Sequence, residues 1–470
     1  MSGGLRAKAP NRRRNSSPQF ASSRAQPRPR AGQTAQALRA GGVPIAGVRA
    51  LPKLAIGDRA GLPLYSASFP APQTTLNTAS APPLTLIRNA DVFAPKPLGR
   101  QQLLLAAGKI IWMAAADSPA PSGIDIDVVD LQGQRLLPGL VDGHVHTTGG
   151  GGEGGFATRV PGLPLSRYTR GGVTTVVGLL GTDDCARSMR ELVASIYALR
   201  EQGLSAWGYC GGYHLPPATL TGSVRADIAF IEPVIGVGEL AISDHRSSQP
   251  TLDELLRVAS EAHVGGLMSG KAGLLHLHLG NGRRGLELIR RALEQSELPA
   301  RLFNPTHVNR RKALFDESLE LAELGCHIDL TAFPVDEGED AWTAAEGLRR
   351  YLASGLPAER ISVSSDAGGC LPCFDQHGRL CHMDIGAPGA LLDTLRDCLA
   401  AGLPLQEVLP AMTCNPAELL RLHGKGRIAV GADADLLAID NEGHAQDVWA
   451  LGVRHLASGQ LLRRGQFEQG

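Results

Sequence analysis

Two histidines one residue apart, His144 and His146, lie in the stretch LLPGLVDGHVHTTGGGGEGG, just ahead of a glycine run that carries a single acid, Glu153. Side chains at i and i+2 of a strand face the same way, so both imidazoles can aim at one point. Taken alone, the pair equally fits two histidines that merely satisfy buried hydrogen bonds. Four more residues able to hold a metal recur in similar settings: Glu239 in GVGELAISDHRS, His278 in HLHLG, His307 in NPTHVN and Asp366 in VSSDAGG. Each sits at or just beyond an apolar, strand-like run. Imidazole nitrogen with carboxylate oxygen suits Zn2+. Four histidines and two acids exceed what one catalytic zinc needs; they fit two metals about 3.5–4 Å apart sharing a bridging carboxylate. Such a pair yields hydroxide near neutral pH and polarises a carbonyl, which is the chemistry of amide hydrolysis.

To bring these residues together, the chain needs elements whose ends converge. From about 139 to 419 it alternates apolar runs with amphipathic stretches. GGVTTVVGLLG, SAWGYCGGYH, GLLHLHLGN, ARLFNPTHVN, HIDLTAF and ISVSSDAGG read as strands. SMRELVASIYALREQG, TLDELLRVASEAHVGG, GLELIRRALEQS and ALFDESLELAELG read as helices, and Thr251 with Glu254 forms a capping box. Strand–helix alternation on this scale predicts a parallel α/β sheet, and polar residues gathered at strand ends predict the catalytic rim of a (β/α)8 TIM-like barrel. LTLIRNADVFAP and QQLLLAAGKIIWMAAA before it, and GKGRIAVGADADLLAID and VRHLASGQLLRRG after it, read as a small β-rich domain. That domain is expected to be built from both chain ends, 83–138 and 420–470. Residues 1–82 read as a disordered basic tail rich in Arg, Pro and Ala, with Asp58 the sole acid among the first 60. A transit peptide or a start codon placed too early would give the same text.

Composition narrows the function. The 470 residues carry 46 basic and 46 acidic side chains, so the net charge is zero. No basic surface for nucleic acid or an anionic membrane is expected. No apolar run approaches the ~18 residues of a membrane span, and no signal-peptide core is evident. Eight cysteines in a chain of this length do not form a disulfide framework, so a reducing cytoplasmic compartment is expected. The segment CLPCFDQHGRLCH, residues 370–382, offers a C-x-x-C with His377 and Cys381. A structural zinc site or redox pair is one reading of it; a loop or hairpin with free thiols is preferred, because no second C-x-x-C exists.

With these residues in view, the chain resembles the metal-dependent amidohydrolase superfamily, and within it the isoaspartyl (β-aspartyl) dipeptidases. The resemblance rests on PGLVDGHVH, GGGGEGG, VVGLLGTD, AISDHRS, PTHVNR and SSD, and covers roughly residues 84–465. It implies two Zn2+ ions, one held by His144, His146 and Asp366 and the other by His278 and His307, with a hydroxide held between them as nucleophile. It also implies that Asp366 shuttles the proton and that Tyr213, in GGYHLP, stabilises the oxyanion. Glu153 would receive the substrate's α-ammonium, Arg246 and Arg310 its carboxylates, and Thr182 and Cys370 would line the substrate. The expected partner is a small dipeptide, and a homo-oligomer is implied.

Two departures stand out. Many relatives bridge the metals with a carboxylated lysine, whereas the aligned segment here gives Glu239. Its arm is about three bonds shorter, so a local insertion at VGEL is expected to bring the backbone closer. Cys370 stands where relatives have a serine. His276 reads as a packed, hydrogen-bonded neighbour and not a ligand, Lys271 as a loop charge, and Asp244 and His245 as braces for Arg246. Two alternatives remain at this point: a cyclic-amide hydrolase of the dihydroorotase or hydantoinase kind, or a deaminase, and a non-catalytic scaffold on the same fold.

Overall fold

The computed structural model describes residues 84–374 and 380–468, without the side chains of 372–382. The expected 1–82 tail and the thiol and imidazole groups of Cys373, His377 and Cys381 lie outside the described residues.

Eight parallel strands, each leading on to a helix, make the central body. They are β1 (Leu140–Val145), β2 (Val173–Gly178), β3 (Ser205–Cys210), β4 (Val234–Ile242), β5 (Leu274–Leu279), β6 (Phe303–Thr306), β7 (Ile328–Thr331) and β8 (Ile361–Ser364). The helices that follow them are α1 (Leu165–Arg170), α2 (Met189–Glu201), α3 (Val224–Phe230), α4 (Leu252–Ser269), α5 (Glu287–Gln295), α6 (Lys312–Glu323), α7 (Ala344–Ala353) and α8 (Ala390–Ala400). Strands β1 to β6 pair in chain order and β7 pairs with β8. A parallel bridge from Val145 to Ala367 joins β1 to the segment after β8. Between β6 and β7 the seam is made by side chains: Thr306 Oγ1 donates to Asp329 at 2.7 Å and Asn304 Nδ2 to the His327 carbonyl at 2.8 Å.

Both faces of the strands are covered: β2, β4 and β5 are buried at every position, polar members such as Thr174, Glu239 and His276 included. The helices bury one stripe each; in α4 it is Leu252, Leu255, Val258, Ala259 and Ala262. The Thr251–Glu254 capping box forms as the sequence predicts, and Gly270 ends the helix in the left-handed conformation.

A nine-stranded sheet stands beside the barrel. Its outgoing part runs from Thr85–Phe93 to Arg135–Pro138, and its returning part from Leu436–Ile439 to Gln460–Leu461. The two halves join where Arg135–Pro138 pairs antiparallel with Leu436–Ile439. Ile87, Val92, Leu103, Ile110, Leu136, Leu436 and Trp449 form its own core. CLPCF and LCHMDI form an antiparallel hairpin after β8, Cys370–Phe374 with Leu380–Ile385.

A buried ion cluster ties the returning chain to the barrel. Lys425 Nζ donates to Ser205 Oγ, at the start of β3, and to Asp435 Oδ2, both at 2.6 Å, and lies 2.9 Å from Asp433. Removing one partner of such a group leaves a buried uncompensated charge, at a cost of about 3–5 kcal/mol. Lys425→Met is expected to lower the calorimetric unfolding temperature by several degrees, and adding Asp435→Asn to recover part of the loss. An unchanged unfolding temperature in Lys425→Met would show that the cluster holds nothing.

Candidate active site and metal centre

The C-terminal ends of the strands carry the reactive side chains. His144 lies in β1 and His146 just after it, Glu239 in β4, His278 in β5, His307 after β6 and Asp366 after β8. All six are buried. His307 and Asp366 have positive φ, 60° and 51°, a conformation that costs a non-glycine residue of order 1–3 kcal/mol and turns both side chains into the barrel mouth.

Glu239 lies between the histidines. Its Oε1 is 3.6 Å from His144 Nε2 and 3.5 Å from His146 Nε2; its Oε2 is 3.1 Å from His278 Nδ1 and 3.3 Å from His307 Nε2. Asp366 Oδ1 is 3.5 Å from His144 Nε2 and 3.0 Å from His146 Nε2. The pairing of β4 with β5 shows how a short arm reaches this position. Leu275 pairs with Val237 and Leu277 with Leu240, so two steps on β5 face three on β4. This is a β-bulge, the extra residue anticipated at VGEL. Gly238 at the bulge has φ +154°, and a Cβ there would stand 2.7 Å from the His276 Cβ.

Two sets of ligand atoms fall within 4.8 Å of one another here, His144–Glu239–His307 and His144–His146–Asp366. His278 lies outside both. Its ring is 4.8 Å from that of His307, but its Nδ1 is 2.8 Å from the Tyr213 hydroxyl and its Nε2 is 2.9 Å from Asp244 Oδ2. His144 Nε2 and Asp366 Oδ1 are buried with no hydrogen-bond partner. Buried polar atoms are seldom left so, and a nitrogen facing carboxylate oxygens at this range is the donor set of a divalent metal. The residues therefore fit one or two metal ions.

Burial and opposite charge set the ionisation of these groups. Burial would raise the Glu239 carboxyl, but positive charge on His144 and hydrogen bonds from His278 and His307 hold it well below the usual range. Burial likewise opposes ionisation of Asp366, and His144 and His146 overcome it. Burial pushes the imidazolium of His307 down to about 3, so that ring is neutral at pH 7. The Tyr213 phenol is pushed well above its ordinary value by burial and by the Glu239 charge, so it remains a proton donor.

These groups open onto a cavity of about 670 Å3 whose lining includes Glu153, Thr182, Tyr213, Arg246, Arg310 and Cys370. Glu153 Oε1 accepts from Thr182 Oγ1 at 2.9 Å and from Arg246 Nη1 at 3.2 Å; its Oε2 is buried and bare. Arg246 also donates to Asp244, and its guanidinium lies 5.3 Å from the centre of the Tyr213 ring. Arg310 donates to the Leu279 carbonyl at 2.6 Å and keeps a buried Nε without partner. The glycines before Glu153 permit close backbone approach. A Cβ on Gly149 would lie 1.9 Å from the Val160 carbonyl oxygen, and one on Gly150 3.2 Å from the Gly369 Cα.

Asp244 braces Arg246 as expected from the sequence, whereas the His245 side chain is 61% exposed and lies 3.5 Å from Asp244. Lys271 is more than a loop charge: it donates to the carbonyls of Ile228, Ile231 and Val234. His276 points below the centre, to His144 and Asn304. Sequence reading missed Asn281, Arg311, Phe333, Asp336, Glu339 and Asp340 on the cavity wall. Most of these lie in the irregular stretch after β7, where no periodic pattern marks them.

A buried cluster of His, Glu and Asp that could hold a metal ion lies at the strand ends of a barrel, and the amidohydrolase family pattern matches residues 135–457. The chain belongs to the amidohydrolase family. A beta-aspartyl dipeptidase from thermophilic, keratin-degrading Fervidobacterium islandicum AW-1, solved with a beta-Asp-Leu dipeptide, is 42% identical, with a TM-score of 0.78 over 82% of this chain and 99% of its own. A second structure of a dipeptidase from the same organism gives 41% and 0.75 over 82% of this chain and 100% of its own. More distant is a deacetylase of Agrobacterium fabrum, 26% identical over 352 residues, 71% of this chain and 76% of its own. An imidazolonepropionase of Colwellia psychrerythraea is 24% identical over 402 residues, 77% of this chain and 90% of its own.

Cys370 has a thiol pushed up to about 12 by burial and by the nearby charges of Glu153 and Asp366. The thiolate is the nucleophile, so at pH 8 only about one thiol in 10⁴ is reactive. Mass spectrometry after iodoacetamide at pH 8 should find exposed Cys185 alkylated and Cys370 intact. Equal labelling of the two would contradict a shielded thiol.

Proposed function

We propose that this chain is a metallo-dipeptidase that hydrolyses the isoaspartyl peptide bond of small dipeptides. The observation that carries the reading is the placement of opposite charges around one cavity. Glu153 presents a bare oxygen, Arg246 and Arg310 present guanidinium groups, and the metal-fitting cluster lies on the same wall. A substrate with a free amine and two carboxylates answers each of these groups. Similarity to the Fervidobacterium dipeptidase solved with beta-Asp-Leu supports the same choice.

His144, His146 and Asp366 would hold one metal ion, His278 and His307 the other, and Glu239 would bridge them. Bound there, zinc would polarise the scissile carbonyl and lower the pKa of water. Glu153, steadied by Thr182, takes the α-ammonium group. Arg246 and Arg310 take the carboxylates through planar, multidentate donors. Cys370 closes the cavity beside Glu153. The protonated Tyr213 donates to the carbonyl oxygen as it gains charge. Asp366 accepts a proton from the attacking water and returns it to the departing amine.

Purified, zinc-reconstituted protein is expected to cleave β-Asp-Leu and to leave α-Asp-Leu, dihydroorotate and hydantoin untouched. Turnover of either cyclic amide in preference to β-Asp-Leu would move the assignment to a ring-opening amidohydrolase. Asp366→Asn should lower kcat by about 10²–10⁴-fold or more while circular dichroism stays unchanged. Because Glu239 needs no carbon dioxide to become a carboxylate, reconstitution in CO2-free buffer should give full activity. A requirement for bicarbonate would overturn the bridging role of Glu239.

A further inference from the structure

Beneath the metal-fitting cluster, four groups are joined in line. His144 Nδ1 lies 2.8 Å from His276 Nε2, His276 Nδ1 lies 2.7 Å from Asn304 Oδ1, and Asn304 Nδ2 lies 2.8 Å from the His327 carbonyl oxygen. His144, His276 and Asn304 are all buried, and His276 stacks on Tyr209 with ring centres 5.1 Å apart.

The last link fixes every other. A backbone carbonyl only accepts, so the Asn304 amide nitrogen must face it and the amide oxygen must face His276. His276 therefore carries its proton on Nδ1 and offers a lone pair at Nε2. His144 must then donate from Nδ1, so its neutral ring carries no proton on Nε2, and a proton there makes it an imidazolium. That nitrogen is the atom 3.5 Å from Asp366 Oδ1 and 3.6 Å from Glu239 Oε1. The two carboxylates around this nitrogen need a cation among them, a proton on Nε2 or a metal in its place, and the direction of the chain leaves Nε2 as the atom a metal would take.

We infer that His276 and Asn304 are positioning residues that set the tautomer and orientation of His144 for metal binding through Nε2. The inference rests on the metal-centre reading above. It also gives His276 a second role. Its Cβ would stand 2.7 Å from any Cβ at position 238, so it underlies the bulge that delivers Glu239. One side chain thus supports two ligands from different strands, β1 and β4.

The test is zinc affinity of the full-length protein, stripped and titrated against a chromophoric chelator. Gln can place its amide oxygen where His276 Nε2 lies, and Asn is too short to do so. Loss of a partner that orients a ligating histidine typically weakens metal binding about 10–100-fold. His276→Asn is expected to lose affinity in that range and Asn304→Leu about tenfold. His276→Gln should stay within a few-fold of the parent, and all three should keep the parent's metal-free circular dichroism. In zinc-loaded parent protein, 15N-histidine NMR should show a His144 Nδ1 proton that is protected from exchange and absent in His276→Asn. Parent-like affinity in both His276→Asn and Asn304→Leu would overturn the inference, as would an equal loss in His276→Gln, which would make the residue a packing element. Failure of the parent itself to bind zinc would instead overturn the metal reading.

Discussion

The site depends on one buried carboxylate shared by four imidazoles. Glu239 has one oxygen towards His144 and His146 and the other towards His278 and His307, in surroundings that water barely reaches. An acid and a second acid, Asp366, cannot be held in such a place at no cost, because a buried charge must be compensated. Protons on the histidines can supply part of the compensation. A divalent cation supplies it with directional bonds as well, and the bare His144 Nε2 and Asp366 Oδ1 are directed at the space it would take. The arrangement is thus conditional: its geometry makes physical sense chiefly with positive charge at its centre.

A barrel is the scaffold that can hold such an arrangement. The six side chains sit at the ends of five strands, β1, β4, β5, β6 and β8, and the strands are locked by packing on both faces and by polar ties inside the ring. Asp329 accepts from Thr306, Ser362 and Ser364, linking β6, β7 and β8. Asp142 accepts from both the backbone and the hydroxyl of Ser365, next to the Asp366 turn. The left-handed backbone at His307 and Asp366 is strained, and it persists because these neighbours over-determine it. Rigidity here serves placement: a ligand carried on a loop would drift by more than a metal–ligand bond tolerates.

Much of this was readable from residues alone, for identifiable reasons. Parallel strands buried on both faces are rich in apolar and β-branched residues, so β2 and β5 stand out, and the α4 cap is spelled out by Thr251 and Glu254. Ligand residues stand out because charged or imidazole side chains at the ends of such runs have few structural uses. What the sequence hides is direction and depth. His276 and His278 share a strand face by the two-residue period, yet one faces Glu239 and the other lies a layer below, against Asn304. Asn304 itself looks like an ordinary polar residue in a short strand. The cavity wall after β7 is irregular, and only the folded chain brings Asp336, Glu339 and Asp340 to it. The insertion at VGEL was expected from the short arm of Glu239 beside the lysine of relatives, but its form as a bulge packed on His276 was not visible.

Selectivity follows from what the cavity must give up to bind. Arg246 lies 3.2 Å from Glu153 and 2.8 Å from Asp244, so its charge is already balanced inside the pocket. A ligand that separates Arg246 from Glu153 leaves two poorly solvated charges unless it brings a cation for one and an anion for the other. On the proposed reading an isoaspartyl dipeptide does so, with its ammonium on Glu153 and its carboxylates on Arg246 and Arg310. A neutral cyclic amide offers neither, and would leave the internal ion pair intact and occupying the space that the substrate needs. Discrimination then comes as much from the penalty on the wrong ligand as from attraction to the right one. The same logic explains why Asp244 contacts both Arg246 and His278. On the proposed reading it would keep the guanidinium anchored beside the reacting carbonyl while Glu153 turns to the ammonium group.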